Sequence, residues 1–160
     1  MVLREEIFEI MGDAERPVCR RMEAVLSLCG AQLPQRGIRD WARFLMELER
    51  LDENWTVCLE KLAQADFDET DIGPLMHSRP MWFTNLFNYF IYRHLFTALD
   101  DGDIVSKVLF AALSCRIIAA LLLSHGAAGD IETIADYARM YSSEIEYSDE
   151  NLDLIFDALI

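Results

Sequence analysis

Five of the polar side chains inside the most apolar stretches of this 160-residue chain could do chemistry: Asn88, Tyr89, Tyr92 and Arg93 in NYFIYRHLF, which also holds His94, and Arg116 in VLFAALSCRIIAALLL. At helical spacing Asn85, Asn88 and Tyr92 fall at i, i+3 and i+7, a polar line along an otherwise apolar cylinder. A buried polar group left without a partner loses about 1–3 kcal/mol, so the line must meet water, a hydrogen-bonded core network or a cavity. In the last case it would be the wall of a binding pocket. The two guanidiniums face a similar choice. Each can hold a carboxylate or phosphate of a ligand, or pair with a carboxylate of the protein. Structural ion pairs are the expectation for both, with Asp136, Glu144 and Glu146 as the nearest partners by topology. Arg116, beside Cys115, Ile117 and Ile118, is expected to be the more sensitive to substitution.

Other residues capable of chemistry are dispersed. Cys19, Cys29, Cys58 and Cys115 show no C-x-x-C spacing, and each sits in an apolar helical pattern, so they read as reduced core thiols. No histidine among His77, His94 and His125 lies at i+3 or i+4 from another histidine or a cysteine, the spacing a helical zinc site uses. In DFDETDIG, Gly73 comes too late after Asp66 for a calcium loop, and no glutamate closes it. Glycine-rich phosphate loops, a nucleophile elbow and paired catalytic carboxylates are missing from the sequence. No metal site is expected within these residues.

The charge balance narrows the partners. With 14 Lys and Arg against 28 Asp and Glu, the formal charge of −14 repels phosphate backbones and anionic lipid surfaces and attracts basic peptides. Neither nucleic acid nor membrane is an expected partner. The opening MVLREEIFEIMGD lacks the basic start and unbroken apolar core of an export signal, which favours a cytoplasmic location. Val108 to Leu123 is interrupted by Arg116 and shorter than the roughly 20 residues of a membrane span, so it reads as a buried core helix.

These residues must be positioned by helices, because helical periodicity runs from end to end and no segment shows the two-residue alternation of a strand. The predicted class is all-α, a single helical domain over 1–160. Short amphipathic stripes are expected at Leu3, Ile7, Ile10 and Met11, at Val18, Met22, Val25 and Cys29, at Trp41, Leu45 and Leu48, and at Trp55, Leu59 and Leu62. Asp66 to Pro80, acidic and broken by Gly73, Pro74 and Pro80, predicts a surface loop. Two helices apolar nearly all round, about 81–99 and 103–124, follow as a central pair hinged at Gly102. Amphipathic helices capped by Asp130 and Ser148 should cover them, the first with Ile131, Ile134, Ala138 and Ile145 on one face.

Two stretches carry a resemblance: Asn88 to Leu123, with an N-Y-x-x-Y-R core at Asn88, Tyr89, Tyr92 and Arg93, and Ile134 to Leu159, with E-x-S-x-E-N at Glu146, Ser148, Glu150 and Asn151. With LERLDENWTVCLEKL upstream, they resemble the C-terminal helical region of the bacterial flagellin lysine-N-methylase family. The resemblance implies methyl transfer from S-adenosylmethionine to lysine side chains of flagellin, and an iron–sulfur or other metal centre in a cysteine-rich region upstream. Nothing before Leu48 supplies clustered cysteines. The expectation is therefore a helical module, inactive alone, that contributes scaffold and substrate contacts. The alternative is a stand-alone interaction module whose acidic surface binds a basic or amphipathic partner helix.

Overall fold

A computed structural model describes residues 2–126 and 130–160, which are helical over most of their length and contain no strand. The helices are α1 Val2–Met11, α2 Val18–Leu28, α3 Ile38–Glu47, α4 Glu53–Gln64, α5 Ile72–Ser78, α6 Pro80–His94, α7 Ala98–Asp101, α8 Ile104–Ser124, α9 Ile131–Tyr141 and α10 Asp149–Leu159. Side-chain caps start several of them. Asp52 accepts from the Asn54 N–H, Asp130 from that of Thr133, and Ser148 Oγ from that of Asn151.

Backbone contacts group the chain into two compact units. One comprises Met1–Pro34, Gly73–Cys115 and Leu159–Ile160. Its α1, α2 and α6 pack on one another around Ile7, Met11, Val18, Val25, Phe83 and Phe87, all fully buried. Arg21 is buried with them and ties three segments: its guanidinium donates to the Met11 and Arg16 carbonyls and to Thr84 Oγ1. The Met11 carbonyl ends α1 without an intrahelical donor, so Arg21 supplies the missing cap.

The other unit comprises Gln35–Ile72 and Arg116–Ala158. Within it α3 packs on α4, and the Trp55 indole meets the Tyr141 ring edge-on at 6.1 Å, both fully buried. Arg39 donates to the Ala65 and Phe67 carbonyls, and Glu69 accepts from the Ile38 N–H at the start of α3. The second strong polar centre of this unit holds the turn between α3 and α4, described below.

The helical class agrees with the sequence; several local expectations need correction. The segment 66–80 is largely helical, with a 3₁₀ turn at Glu69–Asp71 followed by α5. Pro74 sits in the first turn of α5 and Pro80 at the first position of α6, where a missing N–H deprives the helix of nothing. The expected helix over 81–99 stops at His94 and continues as a 3₁₀ turn, Leu95–Thr97, and then α7. α6 also leaves one face exposed, so it lacks the all-round burial expected of it. Gly102 closes α7 with φ of 72°, as the hinge at this position required. α8 is buried nearly throughout; at 21 residues it is long and apolar enough to cross a membrane by length and composition, but protein covers 83% of its most apolar window. Ile131, the first residue of α9, is exposed while Ile134 and Ile145 are buried, and a π-turn at Ser142–Glu146 separates α9 from the register that would have aligned Ile131 with Ile145. Cys58 and Cys115 are buried, whereas Cys19 and Cys29 are half-buried.

Candidate functional site

Phe83, Phe87, Phe90, Ile91 and His94 form the buried face of α6, and their spacing leaves Met81, Asn85, Tyr89 and Tyr92 on the opposite, exposed one. The polar line read from the sequence therefore faces mostly outward. Tyr92 is 69% exposed and Tyr89 40%. Arg93, one turn after Tyr89, donates to its hydroxyl at 3.2 Å. Asn88 lies at the edge of this face; its Oδ1 is buried and has no donor among the described residues. Asn88, Tyr89, Tyr92 and Arg93 are thus brought together on one surface, held by the aromatic core behind them.

Arg116 belongs to the other unit. It is the one position from Ser106 to Leu122 that is not buried, and among the described residues its side chain makes no ion pair or hydrogen bond. None of the carboxylates expected as partners pairs with Arg116. Asp136 meets Arg139 at 3.4 Å, Glu146 accepts from Ser142 Oγ at 2.6 Å, and Glu144 holds backbone. The expected burial of Arg116 in an ion pair is therefore wrong: α8 opens to solvent at this residue, so its charge stays hydrated.

Beyond His94 the chain turns. Thr97 Oγ1 donates to the His94 carbonyl at 2.8 Å, and His94 packs edge-on against Phe110 at 4.9 Å. The turn carries Leu95, Phe96 and Leu99 alongside Leu3 of α1, Tyr92 and Ile104 to line a groove of about 270 Å³. Arg4 and Ala98 complete its lining. Phe96 and Leu99 are 67% and 74% exposed. Below α7, buried Lys107 pairs with Asp101 at 3.0 Å; the Asp103 N–H and then the Lys107 ammonium hold the Asp101 carboxyl below its ordinary range.

Glu144, expected as a partner for an arginine, and Asn151 instead form a buried polar centre of their own. The Glu144 carboxylate, inside the π-turn, accepts from the N–H groups of Leu51 at 2.9 Å and Asp52 at 2.7 Å. Asn151 accepts from the Glu49 N–H and donates to the carbonyls of Glu49 and Glu144. Both side chains are nearly inaccessible. They fix the turn between α3 and α4; in the sequence Asn151 was marked only as the last residue of the E-x-S-x-E-N run.

A second cluster, Cys58, His125 and Tyr137, is chemically quiet. His125 Nδ1 lies 2.8 Å from the Leu121 carbonyl and its ring 5.3 Å from that of Tyr137. Burial lowers the His125 pKa and raises those of Cys58 and Tyr137, so all three favour their neutral forms. Burial likewise pushes Cys115 well up, which makes its thiol inert.

The sequence profile of the FliB lysine N-methylase C-terminal domain matches residues 14–160. The chain belongs to this family. No curated protein and no solved structure is a match. The FliB family region takes in α2 to α10, including the exposed face of α6 and the Glu144–Asn151 centre, whereas α1 precedes it. The resemblance places an iron–sulfur or metal centre in a cysteine-rich region upstream, and the donors described here do not form a site for one. The described residues contain no group of three or more His, Cys, Asp or Glu arranged to hold a metal, and two of the four thiols are buried singly.

Proposed function

We propose that this chain is the helical C-terminal module of a protein-lysine N-methylase, supplying scaffold and a substrate-contact face while the methyl donor site lies in other parts of the enzyme. The observation that carries the reading is the exposed tyrosine face of α6, Tyr89 and Tyr92 beside Arg93, within a family-matched domain. Tyrosine rings offer a lysine side chain an apolar and cation-binding surface, and their hydroxyls can accept its N–H groups. In this reading flagellin, or another lysine-bearing protein, is the acceptor and S-adenosylmethionine the donor. The donor supplies an electrophilic methyl group; the residues of this chain orient the acceptor and do not carry the transfer. Their location would be the cytoplasm, where flagellin and donor meet.

Incubation of the 160 residues with S-adenosylmethionine and flagellin, followed by mass spectrometry of the acceptor, tests the division of labour. The expected result is no methylation, with flagellin bound by the wild-type chain and released by the Tyr89→Ala/Tyr92→Ala variant. Turnover by the isolated chain would show that the donor site lies within it, and failure to bind flagellin would remove the contact role of α6.

A further inference from the structure

The groove of α1, α6 and α7 is formed in part by a helix that precedes the family-matched residues, and no assignment covers it. Tyr92, Phe96 and Leu99 follow one another at spacings of four and three, all about two-thirds exposed or more. An apolar stripe of this kind along a helix and its continuation is the surface a partner helix covers. We propose that this groove docks a basic amphipathic helix of another protein, a claim that goes beyond the methylase reading and rests on the groove alone.

Three observations select that occupant. At about 270 Å³ the groove falls below the roughly 300–1,000 Å³ of a small-molecule site, but it suits a few apolar side chains presented from outside. Its sequence neighbours include exposed acids: Glu5 follows Arg4, and Asp100 follows Leu99. The whole chain carries −14, which opposes pairing with a second copy of itself and favours a cationic partner. Arg4 is the one cation of the lining, and it works against such a partner.

The test uses the full chain and a fluorescein-labelled peptide of about 18 residues, leucine and lysine patterned into one apolar and one basic helical face. A matching leucine–glutamate peptide is the control. Fluorescence anisotropy should show binding of the basic peptide alone, weakened at least tenfold by Phe96→Ser/Leu99→Ser, two exposed positions whose exchange leaves the circular dichroism unchanged. Arg4→Gln should tighten it. Glu9→Gln/Asp13→Asn, away from the groove, should change it less than twofold. Equal affinity for both peptides, weakening by Arg4→Gln, or a loss from Glu9→Gln/Asp13→Asn as large as that from the groove variant would overturn the proposal. Sedimentation that shows self-association abolished by Phe96→Ser/Leu99→Ser would overturn it in favour of a second copy. Since none of these readouts involves methyl transfer, their failure is distinguishable from failure of the methylase reading.

Discussion

The exposed face of α6 and the Glu144–Asn151 centre treat the same problem in opposite ways. Both place amide, carboxylate or hydroxyl groups in segments otherwise rich in apolar residues. Glu144 and Asn151 are buried: their side-chain oxygens accept from the Leu51, Asp52 and Glu49 N–H groups, and the Asn151 amide donates to the Glu49 and Glu144 carbonyls. Tyr89 and Tyr92 lie on the exposed face of α6, where Arg93 donates to the Tyr89 hydroxyl one turn away. Buried, satisfied polar groups fix structure, and exposed ones on a rigid aromatic base are available to a partner. The two groups lie in different units of one chain.

The contrast can be broken most directly at Glu144. Glu144→Ala removes two charge-assisted hydrogen bonds and leaves the Leu51 and Asp52 N–H groups without their acceptor, so urea melts should show a loss of about 3 kcal/mol. Asn151→Ala should lose about 2 kcal/mol by the same measurement, because three backbone groups lose their partner. A loss below about 0.5 kcal/mol for either would mean that water replaces the side chain. Arg21→Met in the first unit strips the cap from the Met11 carbonyl and should cost about 1–2 kcal/mol, with earlier amide exchange in α1 than in α6.

Smaller effects sharpen the other side. Tyr92→Ala and Arg116→Met remove exposed or hydrated groups and should each shift stability by under about 0.5 kcal/mol; under the proposed contact role, Tyr92→Ala should also weaken flagellin binding. A large loss for Arg116→Met would restore the buried ion pair that the structure lacks. The slightest expected effect is on pH dependence. His125 has a folded pKa below its unfolded value of about 6.5, so the unfolded chain binds the proton first as pH falls. Its contribution is complete above pH 6.5 and is lost as pH falls through the depressed folded value. Urea midpoints at pH 7.5 and 5.5 should therefore separate more for the wild type than for His125→Asn.

Much of this architecture is written locally. The caps at Asp52, Asp130 and Ser148, the turn at Gly102 and the buried run of α8 follow from side chains within a few residues of the backbone they control. Periodicity alone put Asn85, Asn88 and Tyr92 on one helical line, and the resemblance to the FliB lysine N-methylase C-terminal domain was readable from the same stretch. Proline and glycine at 73–80 misled, since their helix-breaking effect vanishes in a first turn, and nothing local says where a first turn falls.

What the sequence could not decide was which polar groups would find partners. Glu144 meets the Leu51 N–H across 93 positions, and Asn151 meets Glu49 across 102. A carboxylate reads the same in sequence whether its acceptor sites go to a distant backbone turn, as at Glu144, or to a neighbouring arginine in solvent, as at Asp136. Helix formation depends on propensity and pattern over one or two turns, so it is determined by the chain itself. The pairing of buried charge depends on desolvation and on distances set by packing, and so the roles of Glu144, Asn151 and Arg116 were decided only when the helices came together.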